Sequence, residues 1–174
     1  NISVCDGPES NGSEAFNLNA LSASLGLSTD FVVSYYTNTA DANQAINAVA
    51  SPYTSSGETL IIRIEDADAA ANNFLGCRQL SEVTLFVNPI PNVNQPMDFV
   101  VCDDADGNVD GTTESNLESI NDEVNTDAGI TITYHTSQTD AETDLGALTS
   151  PHSSGGETIF VRVEDDVTGC FDIT

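Results

Sequence analysis

Apolar and polar residues alternate in several short stretches of the chain, and this period of two predicts β-strands. In the clearest stretch, residues 59–65, the apolar side chains Leu60, Ile62 and Ile64 fall on one face. The same pattern recurs in residues 31–36, 83–87 and 130–134. Residues 41–49 have an acidic start and apolar residues at helical spacing, which predicts one short helix. Short strands separated by Gly, Pro and Asn favour an all-β fold of the Ig-like β-sandwich class.

The chain contains two copies of one repeat, because residues 57–66 return as residues 156–165 at an offset of 99. A repeat of this length indicates tandem domains. The predicted boundaries are repeat 1 at residues 1–91, a Pro-rich linker at residues 92–96, and repeat 2 at residues 97–174. Residues 88–96, which lie between the two copies, contain three prolines, and these favour an extended, semi-rigid spacer. Repeat 2 has no counterpart of residues 82–87, which predicts that its last strand is missing and that the chain continues beyond Thr174.

Each repeat holds two cysteines, one near its first predicted strand and one after its arginine-containing strand. Among the three possible pairings we predict the intra-repeat bridges Cys5–Cys77 and Cys102–Cys170, because these bridges let each repeat fold alone. A bridge that closes a loop of about 70 residues contributes on the order of 4 kcal/mol in the chain-entropy model. Disulfides persist in oxidising compartments, so the pairing predicts an extracellular protein. A metal or redox site is disfavoured, because the chain lacks CxxC spacing and has no histidine near a cysteine in sequence.

The start of repeat 2 is strongly acidic and contains the pattern D-x-N-x-D-G at residues 106–111. This pattern matches the beginning of a calcium-binding loop, in which oxygen ligands on alternate residues converge and the glycine permits a sharp turn. The bidentate Glu of position twelve is replaced by Leu117, and repeat 1 has only a weaker version at residues 6–12. The predicted calcium ligands are Asp103, Asp104, Asp106, Asn108 and Asp110 in repeat 2, and Asp6, Glu9 and Asn11 in repeat 1. The alternative is an ordinary acidic turn in contact with solvent.

The two histidines are interpreted as structural residues. His135 and His152 stand where repeat 1 has Tyr36 and Tyr53. A position that accepts either side chain is typical of a half-buried sheet or loop position rather than of a catalytic triad or a metal site. Carboxylate pairs occur throughout so acidic a chain, but it has no Trp and few aromatic side chains to stack sugar rings. We therefore predict no catalytic residue and a protein that is not an enzyme.

Two of the three arginines occupy equivalent positions in the clearest predicted strand. Arg63 and Arg162 each precede, by two residues, a glutamate on the same strand face. We predict the structural salt bridges Arg63–Glu65 and Arg162–Glu164. Anion binding is the alternative function for these guanidinium groups.

The charge balance excludes several classes of partner. The chain has 28 acidic residues, three arginines and no lysine, for a formal net charge of −25. Nucleic acids and anionic membrane surfaces are bound through clusters of Lys and Arg, so neither is a predicted partner. Lysine chemistry, including Schiff bases and Lys–Asn crosslinks, is excluded as well. Repeat 1 with the linker has ten acids and two arginines, for −8, whereas repeat 2 has 18 acids and one arginine, for −17. Part of the acidity of repeat 2 lies in the predicted calcium loop, and the remainder is interpreted as a solvated surface.

The order of the motifs is the same in both repeats. Repeat 1 has Cys5-Asp6, Phe16-Asn17-Leu18, Tyr35-Tyr36, Asp41-Ala42, Pro52-Tyr53, Arg63-Ile64-Glu65 and Gly76-Cys77. Repeat 2 has Cys102-Asp103, Asp110-Gly111, Tyr134-His135, Asp140-Ala141, Pro151-His152, Arg162-Val163-Glu164 and Gly169-Cys170, with Ser115 where the pattern expects Phe. In this order the motifs resemble the tandem repeats of very large cell-surface adhesins of the Bacteroidetes, which are secreted by the type IX system and include the gliding-motility adhesin. The resemblance implies an exported, surface-anchored stalk whose repeats act as spacers.

Residues and resemblance together predict non-enzymatic extracellular repeats at the cell surface, which form a stiff stalk or filament segment of an adhesin with calcium as the stabilising ion. The expected partners are neighbouring repeats of the same chain and surface or environmental polysaccharide. Insertion into a membrane is not expected, because the chain has no run of 18 apolar residues. Two alternatives remain open: a polysaccharide- or ligand-binding module, which would group exposed aromatic side chains on one face, and an accessory region of a secreted hydrolase.

Overall fold

A computed structural model describes residues 1–68, 77–103 and 107–174. The chain forms two compact units, Asn1–Pro89 (unit 1) and Ile90–Thr174 (unit 2), and each has its own hydrophobic core. Strands dominate the secondary structure, which confirms the predicted β-rich fold class. Within the described part of the chain, no helix is long and apolar enough to cross a membrane.

The main sheet of unit 1 carries its core on one face. The described elements of unit 1 are β1 (Ile2–Cys5), β2 (Glu14–Phe16), α1 (Leu18–Ser24), β3 (Phe31–Tyr36), α2 (Thr39–Gln44), β4 (Tyr53–Ser55), β5 (Thr59–Asp66) and β6 (Arg78–Asn88). The sheet order is β1-β6-β5-β3, with β1 parallel to β6 and the other neighbours antiparallel, and β2 pairs with β4. The buried residues of its core are Phe16, Leu18, Tyr35, Leu60, Ile62, Val83 and Leu85.

The helix predicted at residues 41–49 is present as α2, but it begins earlier and ends sooner. The side chain of Asn38 caps α2 by accepting the backbone N–H of Asp41 (2.9 Å). Ala45 then adopts a left-handed conformation (φ 55°), which ends the helix. The sequence pattern did not predict α1. This helix begins just after β2, where the side chain of Asn17 caps its first turn.

Unit 2 repeats this arrangement in part. Its described elements are β7 (Thr113–Ser115), a 3₁₀ turn (Leu117–Ile120), α3 (Asn121–Val124), β8 (Ile130–His135), α4 (Gln138–Thr143), β9 (His152–Ser154), β10 (Phe160–Asp165) and β11 (Phe171–Ile173). The strands form an antiparallel sheet of order β11-β10-β8 and a β7–β9 pair. Arg162 lies opposite Thr133, as Arg63 lies opposite Ser34 in unit 1. The sheet register therefore places equivalent arginines at the same point of both units.

The residues predicted as a linker pack against unit 2. Val93 lies against the core of unit 2, and the backbone N–H of Asn94 donates to the carbonyl oxygen of Val124 (3.0 Å). Asn125 donates from Nδ2 to the carbonyl oxygen of Asn92 (2.7 Å). These hydrogen bonds hold the residues that precede repeat 2 onto unit 2.

Candidate functional sites: cysteines, acidic loops and buried arginines

The cysteines pair differently from the sequence prediction. Cys5 and Cys170 are disulfide-bonded, whereas Cys77 and Cys102 are free and exposed. The predicted bridges Cys5–Cys77 and Cys102–Cys170 are therefore wrong, and the bond joins Cys5 of repeat 1 to Cys170 of repeat 2. Sequence spacing could not reveal this pairing. A disulfide requires Cβ atoms within about 4.5 Å of each other, and the equivalent cysteines of the two repeats have similar sequence neighbours.

Sheet and turn hydrogen bonds hold the backbone around the bonded cysteines. Cys5 is the last residue of β1 and lies opposite Asn88 of β6. Cys170 precedes β11 and is fully buried, and its carbonyl oxygen accepts the N–H of Asp165 (2.9 Å). The N–H of Cys170 donates to the Oγ1 atom of Thr168 (3.3 Å). Each bonded sulfur is therefore carried by ordered backbone.

In both repeats an aspartate closes the acidic loop by accepting a glycine N–H. Asp6 Oδ2 accepts from Gly12 (2.9 Å), and Asp103 Oδ1 accepts from Gly111 (2.9 Å). The two glycines have left-handed backbone conformations (φ 69° and 87°), which side-chain-bearing residues rarely adopt. The first acid of each loop therefore stabilises the turn itself.

The other predicted calcium ligands in the described residues are exposed, and several make local hydrogen bonds. Asp110 accepts from the backbone of Thr112 (3.1 Å), Glu9 accepts from Nδ2 of Asn11 (3.4 Å), and Asn108 is exposed. The remaining predicted ligands lie outside the described residues: Asp104 and Asp106. Within residues 1–68, 77–103 and 107–174, no group of three or more His, Cys, Asp or Glu side chains is placed to hold a metal ion.

Asp6 differs from these acids because it is buried, with 8% of its surface exposed. One carboxylate oxygen accepts from Gly12, but the other, Oδ1, has no hydrogen-bond partner among the described residues. A buried carboxylate oxygen without a partner is costly unless a cation or a donor reaches it. Of the predicted ligands that the structure describes, Asp6 has the strongest physical reason to accept a cation.

Arg63 and Glu65 form a buried ion pair in unit 1. Arg63 is 1% exposed, and its Nη2 atom donates to Glu65 Oε2. Its Nη1 atom donates to the carbonyl oxygen of Ala42 in α2 (2.9 Å). Carbonyl groups in the last turn of a helix lack partners within the helix, so this bond satisfies one of them. Arg63 thus connects β5 to α2, and among the described residues its Nε atom is buried without a hydrogen-bond partner.

Arg162 has the same arrangement in unit 2. Its Nε and Nη2 atoms donate to Glu164 Oε2, and its Nη1 atom donates to the carbonyl oxygen of Ala141 in α4 (2.9 Å). The guanidinium carbon also lies 3.4 Å from the centroid of the Phe171 ring, a cation–π contact. The ion pair with the glutamate and the bond to a helix carbonyl recur at one repeat position, which indicates a packing role for both arginines.

His152 and Tyr53 occupy the same repeat position and contact equivalent glutamates. His152 Nε2 lies 2.7 Å from Glu157 Oε1, and Tyr53 Oη donates to Glu58 Oε1 (2.9 Å). The hydrogen bond from His152, followed by one from Ser154, lowers the pKa of Glu157. The exchange of Tyr for His therefore preserves a local loop contact.

His135 is fully buried, and both ring nitrogens have structural partners. Nδ1 lies 2.9 Å from the carbonyl oxygen of Leu145, and Nε2 lies 2.9 Å from Thr133 Oγ1. A carbonyl oxygen can only accept, so Nδ1 carries the proton in this contact and the Thr133 hydroxyl can donate to Nε2. The ring is thus part of the packing of unit 2.

Unit 2 has a groove of about 530 Å³ that runs between residues 97–101 and residues 156–161. Side chains that belong to the unit 2 core line it, including Leu117, Tyr134 and Val161. The core of unit 2 is therefore open on this side.

In unit 1 the same place is filled by the second half of β6. Leu85 of β6 lies opposite Ile2 in the parallel β1–β6 pairing, and Val83 and Leu85 are both buried in the core. β6 has 11 residues, whereas its counterpart β11 has three. The groove of unit 2 therefore corresponds to a strand position that is occupied in unit 1.

The molecule is thus a pair of β-rich repeats joined by a disulfide bond. The chain belongs to the Flavobacterium inter-domain disulphide bond domain family, whose model matches residues 1–91 and 98–174. Comparison with curated proteins gives no match, and comparison with solved structures gives none either. The family agrees with the predicted Bacteroidetes-type repeats, and together with the bond it identifies repeat domains of an extracellular or surface protein.

Proposed function

We propose that the chain is a segment of a non-enzymatic stalk or filament of a cell-surface adhesin, in which the repeats act as spacers. The observation that carries this proposal is the Cys5–Cys170 bond, which connects one repeat to the next instead of closing a single repeat. A covalent tie in addition to the peptide connection removes conformations that a chain linked only through its backbone could adopt. Such a tie favours a stiff spacer.

The contacts made by the few basic side chains support a structural role for the protein. Arg63, Arg162 and His135 are buried and engaged in packing contacts, and His152 contacts a loop glutamate. The surplus of 28 acidic over three basic residues gives a strongly solvated surface, which keeps an exported repeat protein soluble.

Calcium stabilises the acidic loops in this proposal. Its support is the buried Oδ1 atom of Asp6, which lacks a hydrogen-bond partner among the described residues. Calcium prefers carboxylate and carbonyl oxygens, and Glu9 and Asn11 lie in the same loop. Bound calcium would supply the positively charged partner that this carboxylate oxygen lacks, and it would hold the turn that follows β1.

Small-angle X-ray scattering tests the spacer role. The oxidised protein is compared with the Cys5→Ser/Cys170→Ser double variant, and the matched control is Cys77→Ser/Cys102→Ser, which keeps the bond. We expect a single narrow distribution of sizes for the oxidised protein and the control, and a broader, more flexible distribution for the variant that lacks the bond. Identical distributions for all three proteins would contradict a stiffening role.

A further inference from the structure

We propose that Asn11 is a site of spontaneous deamidation, at which the folded loop of repeat 1 converts an asparagine to an aspartate. Asn11 and Gly12 lie in the acidic loop between β1 and β2, and both residues are exposed. The reagents are the backbone nitrogen of Gly12 and water, so the reaction needs neither a second protein nor a cofactor. This conversion does not depend on the proposed role of the repeats as spacers.

The residue after Asn11 places little bulk at the reacting nitrogen. Gly12 has no side chain and adopts a left-handed backbone conformation (φ 69°). Among the described residues, no atom beyond its two chain neighbours lies within 4 Å of the position that a Cβ atom would take. The backbone nitrogen of Gly12 can therefore approach the side-chain amide of Asn11 without a steric clash, and water reaches both residues.

Two hydrogen bonds prepare the reacting groups. The Oδ1 atom of Asn11 accepts the backbone N–H of Ser13 (2.8 Å). This donor polarises the amide carbonyl and stabilises the negative charge that develops on Oδ1 when Cγ is attacked. The N–H of Gly12 donates to Asp6 Oδ2 (2.9 Å). The Asp6 carboxylate therefore lies within hydrogen-bond reach of the proton that must leave the attacking nitrogen, as general-base catalysis requires.

The reaction replaces the amide nitrogen of Asn11 by an oxygen atom from water. Asp6 takes the proton of the Gly12 nitrogen as this nitrogen attacks Cγ of Asn11 and bonds to it. The bond between Cγ and Nδ2 breaks, and the amino group leaves as ammonia with the proton that Asp6 held. Water then opens the resulting succinimide ring. Cleavage between Cγ and the Gly12 nitrogen gives aspartate, and cleavage of the backbone bond between residues 11 and 12 gives isoaspartate.

The loop of repeat 2 already has the product of this reaction at the equivalent position. The pair Asp110-Gly111 stands 99 positions after Asn11-Gly12. Asp110 Oδ1 accepts the N–H of Thr112 (3.1 Å), and the N–H of Gly111 donates to Asp103 Oδ1 (2.9 Å). These hydrogen bonds are equivalent to the two in repeat 1. An aspartate at position 11 is therefore compatible with the turn, and it adds one negative charge to the loop.

Peptide mapping by mass spectrometry measures the conversion in folded and in unfolded protein. One sample is incubated at neutral pH with EDTA, which keeps cations away from Asp6, and a second sample is incubated in the same buffer with urea. The converted fraction is the sum of the peptides with aspartate and isoaspartate at position 11. We expect conversion to be at least about tenfold faster in the folded protein, because only the folded loop holds the base and the Ser13 N–H in place. An equal or slower rate in the folded protein overturns the inference.

Two variants, each with the native circular dichroism spectrum, test the roles of the loop residues. Asp6→Ala removes the base, and we expect it to convert Asn11 at the rate of the unfolded protein; the parental rate would overturn the role of Asp6. Asp110→Asn is the matched variant in repeat 2, where it creates the same Asn-Gly pair. We expect it to return to aspartate faster in the folded protein than in urea. A stable asparagine at position 110 would overturn the role of the loop. Should Asp6→Ala fail to fold, the parent and Asp110→Asn still decide the outcome.

Discussion

Arg63 donates from Nη1 to the carbonyl oxygen of Ala42, 2.9 Å away, and so connects β5, an inner strand of the unit 1 sheet, to α2. The same side chain is paired with Glu65 and is buried. We expect Arg63→Met to lower the free energy of unfolding by about 3–5 kcal/mol, because it leaves the Glu65 carboxylate buried without its partner. Urea unfolding followed by circular dichroism measures this loss.

The Arg63→Met/Glu65→Leu double variant is the matched control. It removes both charges, so we expect it to recover most of the stability that the single variant loses. A single variant with the parental unfolding midpoint would show that the ion pair contributes nothing to the fold.

The Cys5–Cys170 bond should dominate the effect of cysteine substitutions on stability. We expect Cys5→Ala and Cys170→Ala each to cost about 2–5 kcal/mol under oxidising conditions, since each removes the same constraint on the unfolded chain. The double variant should cost no more than either single change, because the two residues act as one unit. Cys77→Ala and Cys102→Ala are the controls and should leave the unfolding midpoint unchanged. Equal effects of all four substitutions would contradict the pairing.

Burial, with a smaller effect from the charge of Glu118, raises the pKa of Tyr134 to about 12. The usual pKa of this phenol is 10.0, so the folded state disfavours the phenolate. The resulting stability is fully present below about pH 10 and is lost as the pH rises towards 12. We expect stability to fall over this range, and we expect Tyr134→Phe to make the fall shallower.

Chemical unfolding between pH 8 and 11.5 measures this dependence. Tyr35→Phe is the matched change in unit 1, where burial also raises the pKa of the tyrosine. A Tyr134→Phe variant with the same pH dependence as the parent would show that this phenol is not responsible.

Calcium binding at the loop after β1 predicts a metal-dependent melting temperature. At a calcium concentration 100 times the dissociation constant, a site that exists only in the folded state adds about 2.7 kcal/mol. We expect excess EDTA to lower the melting temperature and Asp6→Asn to abolish the calcium response. Glu82→Gln, which neutralises an exposed acid of the same unit, should retain it. An unchanged melting temperature in EDTA would eliminate calcium as a stabilising ion.

The groove of unit 2 predicts stabilisation by an added strand. Extension of the chain after Thr174 with a copy of residues 82–88 should fill the groove as β6 fills the same place in unit 1. Burial of the side chains copied from Val83 and Leu85 should add about 1.5–3 kcal/mol each. An extension with Asp at both positions is the control. Equal melting temperatures for the two extended proteins would mean that the groove does not accept the strand.

Local pattern was sufficient to predict several elements of the fold. The alternation in residues 31–36 corresponds to β3 with the same bounds, and the alternation in residues 59–65 corresponds to β5. The helix α1 was missed because its seven residues begin directly after the short strand β2, so that Phe16 and Leu18 look like neighbours on one strand. Only the cap at Asn17 separates the two elements, and a capping residue next to a short apolar run is a weak sequence signal.

The sequence by itself determined that the protein is a β-rich tandem repeat with equivalent arginines and two cysteines in each copy. These properties depend on residue type, period and order, and all of them can be read along the chain. Only the tertiary structure decided that Cys5 bonds to Cys170 and that Asp6 is buried. Each of these depends on distances between atoms that are far apart in sequence. Equivalent cysteines have similar neighbours in sequence, so the sequence around them does not indicate which pair forms a bond.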